Sequence, residues 1–187
     1  MVIQSRWLVN EKETRSKKRD IALKPRLDYA TELVDTMLQI LTQKRFNLDK
    51  NNAHLYAQIK ESKYISNEFQ KQLRIELEIS RVVESLRQVR RCLDSVYVLG
   101  NILSVLTPSI SIIRRARSQL YELIPETDIP LGELAVLLGS LIIDTAHLTN
   151  AVVDFEKANR QSEDLLAEAK LIADSKIYKQ FPNVDFL

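Results

Sequence analysis

The feature that most constrains the fold is a stretch of 82 residues, from Arg26 to Thr107, that contains no proline and a single glycine, Gly100. Proline and glycine are the residues that most readily end an α-helix, so a stretch of this length almost free of them predicts long helices. The whole chain of 187 residues has only three glycines and five prolines, which argues against a β-rich or loop-rich fold. We therefore predict an all-α protein.

Two apolar repeats with a period of seven residues run through this stretch. They comprise Leu27, Val34, Leu41, Leu48 and Leu55, and then Ile75, Val82, Val89, Val96 and Leu103. Such a period gives a helix one apolar stripe that needs a partner. A turn within the polar segment 60–68 would fold the two helices into a long antiparallel hairpin, in which each stripe covers the other. We expect this hairpin at residues 25–107, with Pro25 in the first turn of its first helix and a second arm roughly 40 residues long.

A proline follows the second repeat, and the apolar spacing resumes beyond it. Because proline kinks or breaks a helix, we predict a hinge at Pro108, about which the segment 109–124 can fold back or swing out. We expect shorter packing helices over residues 108–158, and an acidic regulatory or partner-binding tail over residues 159–187.

Charge is distributed unevenly along the chain. Residues 1–27 hold eight Lys/Arg against three Asp/Glu, residues 28–125 hold 14 against 11, and residues 126–187 hold five against 11, giving net charges of +5, +3 and −6. A basic head and an acidic tail can attract one another in a monomer, or the head can bind an anionic surface. Solvated helix faces with an uneven charge by chance are the alternative.

The basic head also contains the only tryptophan of the chain. Tryptophan favours the bilayer interface and nearby cations favour anionic lipid headgroups, so we predict that residues 1–24 contact membranes. The side chains assigned to this contact are Trp7, Lys12, Arg15, Lys17, Lys18 and Arg19. The alternatives are a tryptophan packed on the hairpin and a disordered segment.

The compartment expected from the sequence is the cytoplasm. The single cysteine, Cys92, cannot form an internal disulfide, and the first eight residues lack the apolar core of a secretory signal. The most apolar window, residues 131–143, contains Glu133 and is shorter than a bilayer span.

No arrangement of residues typical of an enzyme is recognisable. The three glycines do not form a phosphate-binding loop. Asp144 and His147 have the i, i+3 spacing of a metal site in a helical bundle, but the second pair that such a site needs is missing. We therefore predict no catalytic residues, no metal and no cofactor.

Nucleic-acid binding is also unfavoured. The arginines of the second and third helices are mixed with glutamates and lack interleaved aromatic residues. Such mixed charge suits lateral contacts between copies of a rod, for which we assign Arg74, Arg81, Arg87 and Arg114.

Several segments, in this order, resemble one known family. They are the stretch from Glu78 to Val89, the stretch from Leu99-Gly100 to Thr107-Pro108, and Leu120-Tyr121-Glu122-Leu123-Ile124-Pro125-Glu126 followed by an amphipathic helix. Over about residues 26–145 the chain resembles archaeal ESCRT-III proteins, the CdvB family of the Cdv cell-division system. Nothing after Ile172 is long enough for the winged-helix region of the longer members, so the chain looks like a short paralogue.

The resemblance implies a non-enzymatic subunit that polymerises into filaments on membranes and remodels or severs them during cell division or vesicle budding. It implies a homo-polymer, sister ESCRT-III subunits and an anionic membrane as partners, on the inner face of the cell membrane at the division site. It also implies an AAA-type ATPase whose MIT domain grips a C-terminal motif. That motif is assigned to Phe181, Pro182, Val184, Phe186 and Leu187. The alternative function is a soluble helical-bundle scaffold or adaptor without membrane activity.

Overall fold

The computed structural model describes the backbone of residues 4–62, 67–99 and 102–180, and the side chains of residues 23–57, 67–96 and 102–180. It consists of five helices, α1 (Gln4–Ser62), α2 (Asn67–Leu99), α3 (Ile102–Leu120), α4 (Asp128–Thr149) and α5 (Phe155–Gln180), with a 3-10 turn at Pro125–Thr127. No strand occurs within the described ranges. The predicted all-α fold is confirmed.

Helices α1 and α2 form the predicted antiparallel hairpin. Asp35 pairs with Arg90 near one end and Tyr56 with Glu76 near the other, so positions along α1 rise as those along α2 fall. The repeat residues at the centre of the seam are buried, namely Leu27, Val34 and Leu41 on α1 and Val82, Val89 and Val96 on α2. The repeat residues Leu48, Leu55 and Ile75 are only partly buried.

The remaining helices pack on one side of this hairpin. Helix α3 packs against α2, α4 packs against α1 and α3, and α5 lies along α2 and α3. Fully buried aliphatic residues of α3 and α4, such as Ile112, Ile113, Leu134 and Leu138, join the hairpin seam in one core. Helix α4 also contacts α1 through Arg26, whose Nη1 donates to Asp144 at 2.6 Å.

The predicted place of Pro25 in the first turn of the first helix is wrong. Pro25 lies inside α1, which begins at Gln4 and has 59 residues, about 90 Å at the usual rise. The 21 residues from Gln4 to Lys24 contain neither proline nor glycine, so nothing in them stops the helix, and one proline removes only one backbone hydrogen bond.

The predicted break at Pro108 is also wrong. Helix α2 ends at Leu99 and has 33 residues rather than roughly 40, and Pro108 lies inside α3. The residues between the two helices are Gly100 and Asn101, both poor helix formers, and this weak point precedes the proline. Pro108 is itself buried, and the neighbouring Thr107 hydroxyl donates to the backbone carbonyl of Leu103 at 2.7 Å. A hinge at Pro108 would act within α3 rather than at a helix boundary, and it stays a prediction.

Candidate regulatory interface between the last helix and the hairpin

Helix α5 contacts the hairpin mainly through small side chains. Its buried residues are Ala158, Ser162, Ala169, Ala173 and Ile177, of which only the last is large. Leu165 and Leu166 are partly buried against the main core. Small side chains bring two helices close together but remove little apolar area from water, so this contact gains less from the hydrophobic effect than the seam does.

Two ion pairs join α5 to α2. Arg81 donates from Nε to Asp174 Oδ1 at 2.8 Å and from Nη2 to Oδ2 at 3.1 Å, a two-point contact in which both side chains are about three-quarters covered. Hydrogen bonding to Asp174 raises the pKa of the Arg81 guanidinium. Lys176 Nζ lies 2.5 Å from Glu84 Oε1. The acidic tail therefore pairs with the second arm of the hairpin.

Of the two carboxylates in these ion pairs, Glu84 is more deeply buried than Asp174. Its side chain is only 7% exposed, and it accepts from Arg87 Nη1 at 2.6 Å as well as from Lys176. A buried carboxylate that loses one of two cationic partners is left poorly compensated. Arg87 would remain beside Glu84 if α5 dissociated, so α2 carries its own substitute partner for this charge.

A short exposed connector links α5 to the rest of the fold. Helix α4 ends at Thr149 and is followed by the cap residue Asn150, which is left-handed with φ of 50°, and Val152 is 94% exposed. Asp154 precedes α5, and its Oδ1 accepts the Lys157 backbone N–H at 2.9 Å as a helix cap. Because both helices are capped at the connector, α5 can leave the hairpin without unwinding α4.

The four arginines assigned to contacts between copies differ in their surroundings. Arg74 and Arg114 are exposed, and no described acidic side chain forms an ion pair with either. Arg87 is exposed and pairs with Glu84 within α2. Arg81 is held by Glu78 and Asp174, so it becomes available only if α5 dissociates.

The other assigned residues lie outside the described side chains. This applies to the membrane-contact set, Trp7, Lys12, Arg15, Lys17, Lys18 and Arg19, and to the tail set, Phe181, Pro182, Val184, Phe186 and Leu187. The backbone of the first set belongs to α1. Both assignments stay predictions.

Helix α4 presents an exposed apolar stripe that the sequence analysis missed. Ile129, Val136 and Ile143, each seven residues apart, are 79%, 74% and 58% exposed. The stretch Pro125–Thr149 is long and apolar enough to cross a membrane by length and composition, whereas the shorter window considered in the sequence was not. The opposite face, including Leu134 and Leu141, is fully buried in the core, so α4 is a core helix with one open apolar face.

Of the two possible metal ligands, Asp144 and His147, the first forms an ion pair. Asp144 accepts from Arg26, and the described residues contain no group of three or more His, Cys, Asp or Glu side chains that could hold a metal ion.

Comparison with known proteins relates nearly the whole chain to a cell-division protein. The chain is 25% identical over 190 aligned residues to Cell division protein B1 of Sulfolobus acidocaldarius, with 97% of this chain and 88% of that protein covered. No family model and no solved structure matches. The sequence is therefore similar, over almost the full length of this chain, to that of a cell-division protein.

Proposed function

We propose that the chain is an ESCRT-III-like subunit of a cell-division apparatus that polymerises into filaments on membranes and remodels or severs them. The observation that carries this proposal is the similarity along almost the full length to Cell division protein B1. The hairpin with shorter helices packed on one side supports it, because a rod with a long free side surface suits lateral assembly.

The described conformation corresponds in this proposal to a closed, unassembled subunit. With α5 docked, the Arg81 guanidinium is engaged by Asp174 and Glu78. Release of α5 frees Arg81 and uncovers a face of α2 and α3 for a neighbouring copy. Subunits thus exchange an intramolecular contact for an intermolecular one when they assemble.

Two surfaces of the closed subunit are open to neighbouring copies. The exposed arginines Arg74 and Arg114 form one, and the apolar stripe of Ile129, Val136 and Ile143 on α4 forms the other. Helix α4 and the turn before it carry acidic but no basic residues over 126–150, apart from His147. Acidic charge beside the stripe disfavours an anionic bilayer and favours a copy that approaches with its arginines.

The N-terminal residues and the C-terminal tail supply the remaining contacts in this proposal. Trp7 and the cations up to Arg19 would bind anionic lipid on the inner face of the cell membrane at the division site. The tail 181–187 would bind an AAA-type ATPase with an MIT domain. Sister subunits would join the homo-polymer, and neither catalysis nor nucleic-acid binding is part of the function.

Co-sedimentation of the full chain with anionic and with neutral liposomes, followed by negative-stain electron microscopy of the pellets, tests the proposal. We expect filaments or tubulated vesicles with anionic lipid only, and weakened binding without loss of folding when residues 1–20 are deleted. Arg114→Glu should reduce filament formation more than lipid binding. A compact particle that ignores both kinds of liposome, alone and mixed with sister subunits, would instead support the soluble scaffold.

A further inference from the structure

A buried carboxyl group lies between α1 and α2, at the end of the hairpin formed by the last turns of α1 and the first turns of α2. We call this the distal end. Glu76 of α2 is fully buried, and its Oε2 accepts the Tyr56 hydroxyl of α1 at 2.6 Å. The described cation that pairs with it is Arg45, whose Nε is 4.0 Å from Oε1, too far for a good hydrogen bond. A carboxylate with one neutral donor and one distant cation is poorly compensated for the loss of water.

A second carboxyl group, that of Asp49 on α1, interacts with Glu76. Asp49 Oδ1 and Glu76 Oε1 are both buried, and neither accepts a hydrogen bond from a described residue. Two ionised carboxylates are acceptors only and repel each other, whereas a single proton placed between them forms a hydrogen bond. Asn52 does not donate a hydrogen bond to either carboxylate, because its own buried Nδ2 donates to no described group.

No described side chain of α3 or α5 forms an ion pair with either carboxyl group. From α5, Asp174 and Lys176 pair with Arg81 and Glu84 instead, and from α3 the neutral Gln119 contacts Glu78. The pKa of Glu76 is raised to about 7: burial is the largest cause and Asp49 adds to it, while the hydrogen bond from Tyr56 and the charge of Arg45 act in the opposite direction.

The pair is connected to the docking of α5. The Tyr56 ring meets Phe69 edge to face, with centroids 5.7 Å apart. Phe69, together with Leu73 and Leu77, encloses Ile177 near the end of α5, in a cluster separate from the main core. Movement of Tyr56 therefore disturbs the contact of Ile177, the one large side chain among the described buried residues of α5.

We propose that Asp49 and Glu76 form a proton-dependent latch, which holds the distal end of the hairpin and the last turns of α5 in place while the two carboxyl groups share a proton. Ionisation of both groups loosens this end and favours release of α5. The biological role of the latch rests on the proposed function, since it regulates the release that assembly requires. The latch itself is a property of the isolated subunit.

The direction of the pH effect follows from proton binding. The closed end keeps a proton on Glu76 up to a pKa of about 7, while the opened end gives it up near the ordinary value of 4.5. The opening equilibrium therefore rises with pH by up to about tenfold per unit between these two values and is constant above them.

Hydrogen exchange of the full chain, alone in dilute solution, tests the latch. Peptides covering 45–57, 69–77 and 170–180 are compared with a reference peptide from the seam, from about pH 5 to about pH 8, after correction for intrinsic exchange. We expect the three distal peptides to lose protection as the pH approaches 7 and then to level off, with the seam unchanged.

Two variants test which carboxyl group causes the pH dependence, and a third serves as a control. Glu76→Gln keeps an acceptor for Tyr56 but cannot ionise, so its distal peptides should show no pH dependence. Asp49→Asn should shift the transition to lower pH. Glu68→Gln removes an exposed charge from the same end of α2 and should behave as the parent chain.

A pH-independent parent chain, or a Glu76→Gln variant with the parent's pH profile, would overturn the latch. If Glu76→Gln does not fold, carbon-detected titration of the glutamate carboxyls in the parent chain decides instead. A glutamate carboxyl that titrates near pH 7 in the parent chain, with no such titration near pH 7 in Asp49→Asn, supports the latch. Titration of every glutamate carboxyl below about pH 5 would contradict it. Neither readout involves lipid or polymer, so failure of the latch and failure of the membrane function remain distinguishable.

Discussion

Helix α2 makes two long contacts of different chemistry. Against α1 it presents the aliphatic repeat, with Val82 and Val89 facing a stripe that includes Val34 and Leu41, all fully buried. Against α5 it meets mostly alanines and two partly exposed ion pairs. A fully buried aliphatic side chain contributes about 1.5–3 kcal/mol, while partly exposed ion pairs contribute about 1 kcal/mol or less. We therefore expect the contact between α1 and α2 to be the more stable of the two.

The largest effect is expected in the seam. Leu41→Ala removes a fully buried side chain and should lower the free energy of unfolding by about 2–5 kcal/mol. Chemical denaturation followed by circular dichroism measures this loss. Leu171→Ala, at a site on α5 that is 71% exposed, is the matched control and should change stability by less than about 0.5 kcal/mol. Equal effects of the two substitutions would remove the distinction between the contacts.

A substitution under α5 should have a smaller and more local effect. Ala173 is fully buried, so Ala173→Leu cannot fit and should weaken the docking of α5 by about 1–3 kcal/mol. Limited proteolysis in the connector 150–154 should accelerate while the hairpin stays intact. Ala167→Leu, on the exposed side of α5, should leave the cleavage rate unchanged. Loss of the whole fold in Ala173→Leu would show that α5 is an inseparable part of the core.

The ion pairs should contribute less again. Asp174→Asn removes the two-point contact with Arg81 and should weaken α5 docking by about 1 kcal/mol, a roughly fivefold rise in its opening equilibrium. A double-mutant cycle with Arg81→Gln, read by hydrogen exchange of α5, isolates the pair energy. Added salt should reproduce part of the effect in the parent chain and little of it in Asp174→Asn. A coupling energy of zero would mean that the small side chains alone hold α5.

The smallest effect on folding is expected outside both contacts. Arg114 is exposed, so Arg114→Gln should change neither the unfolding free energy nor α5 exchange by more than about 0.5 kcal/mol. Turbidity and electron microscopy with anionic liposomes should nevertheless show fewer filaments. Unchanged assembly would exclude Arg114 from the contact between copies.

The hairpin could be predicted from the sequence because its signal is local and periodic. A seven-residue apolar repeat and the rarity of prolines and glycines decide it without knowledge of the partner. The helix boundaries could not be predicted as well, since Pro25 and Pro108 are both accommodated inside helices and α2 ends at Leu99 rather than at Pro108.

The candidate site was less predictable, because it joins residues far apart in the chain. The contact between Arg81 and Asp174 spans 93 positions, and nothing near Arg81 in the sequence distinguishes it from an arginine that faces a neighbouring copy. The burial of Glu76 has the same origin, since only the approach of α1 removes it from water. The stripe on α4 did have a signal, Ile129, Val136 and Ile143 at a spacing of seven, but the stronger repeat of Leu134, Leu141 and Leu148 in the same helix concealed it.

The most direct test of the account is native-state hydrogen exchange of the full chain at increasing, sub-denaturing concentrations of denaturant. It compares amides of α5 between 158 and 177 with amides of the seam between 82 and 93. We predict that α5 exchanges through its own opening, at a lower free energy and with a weaker denaturant dependence than the seam. Exchange of both segments at one free energy and with one denaturant dependence would contradict a detachable α5.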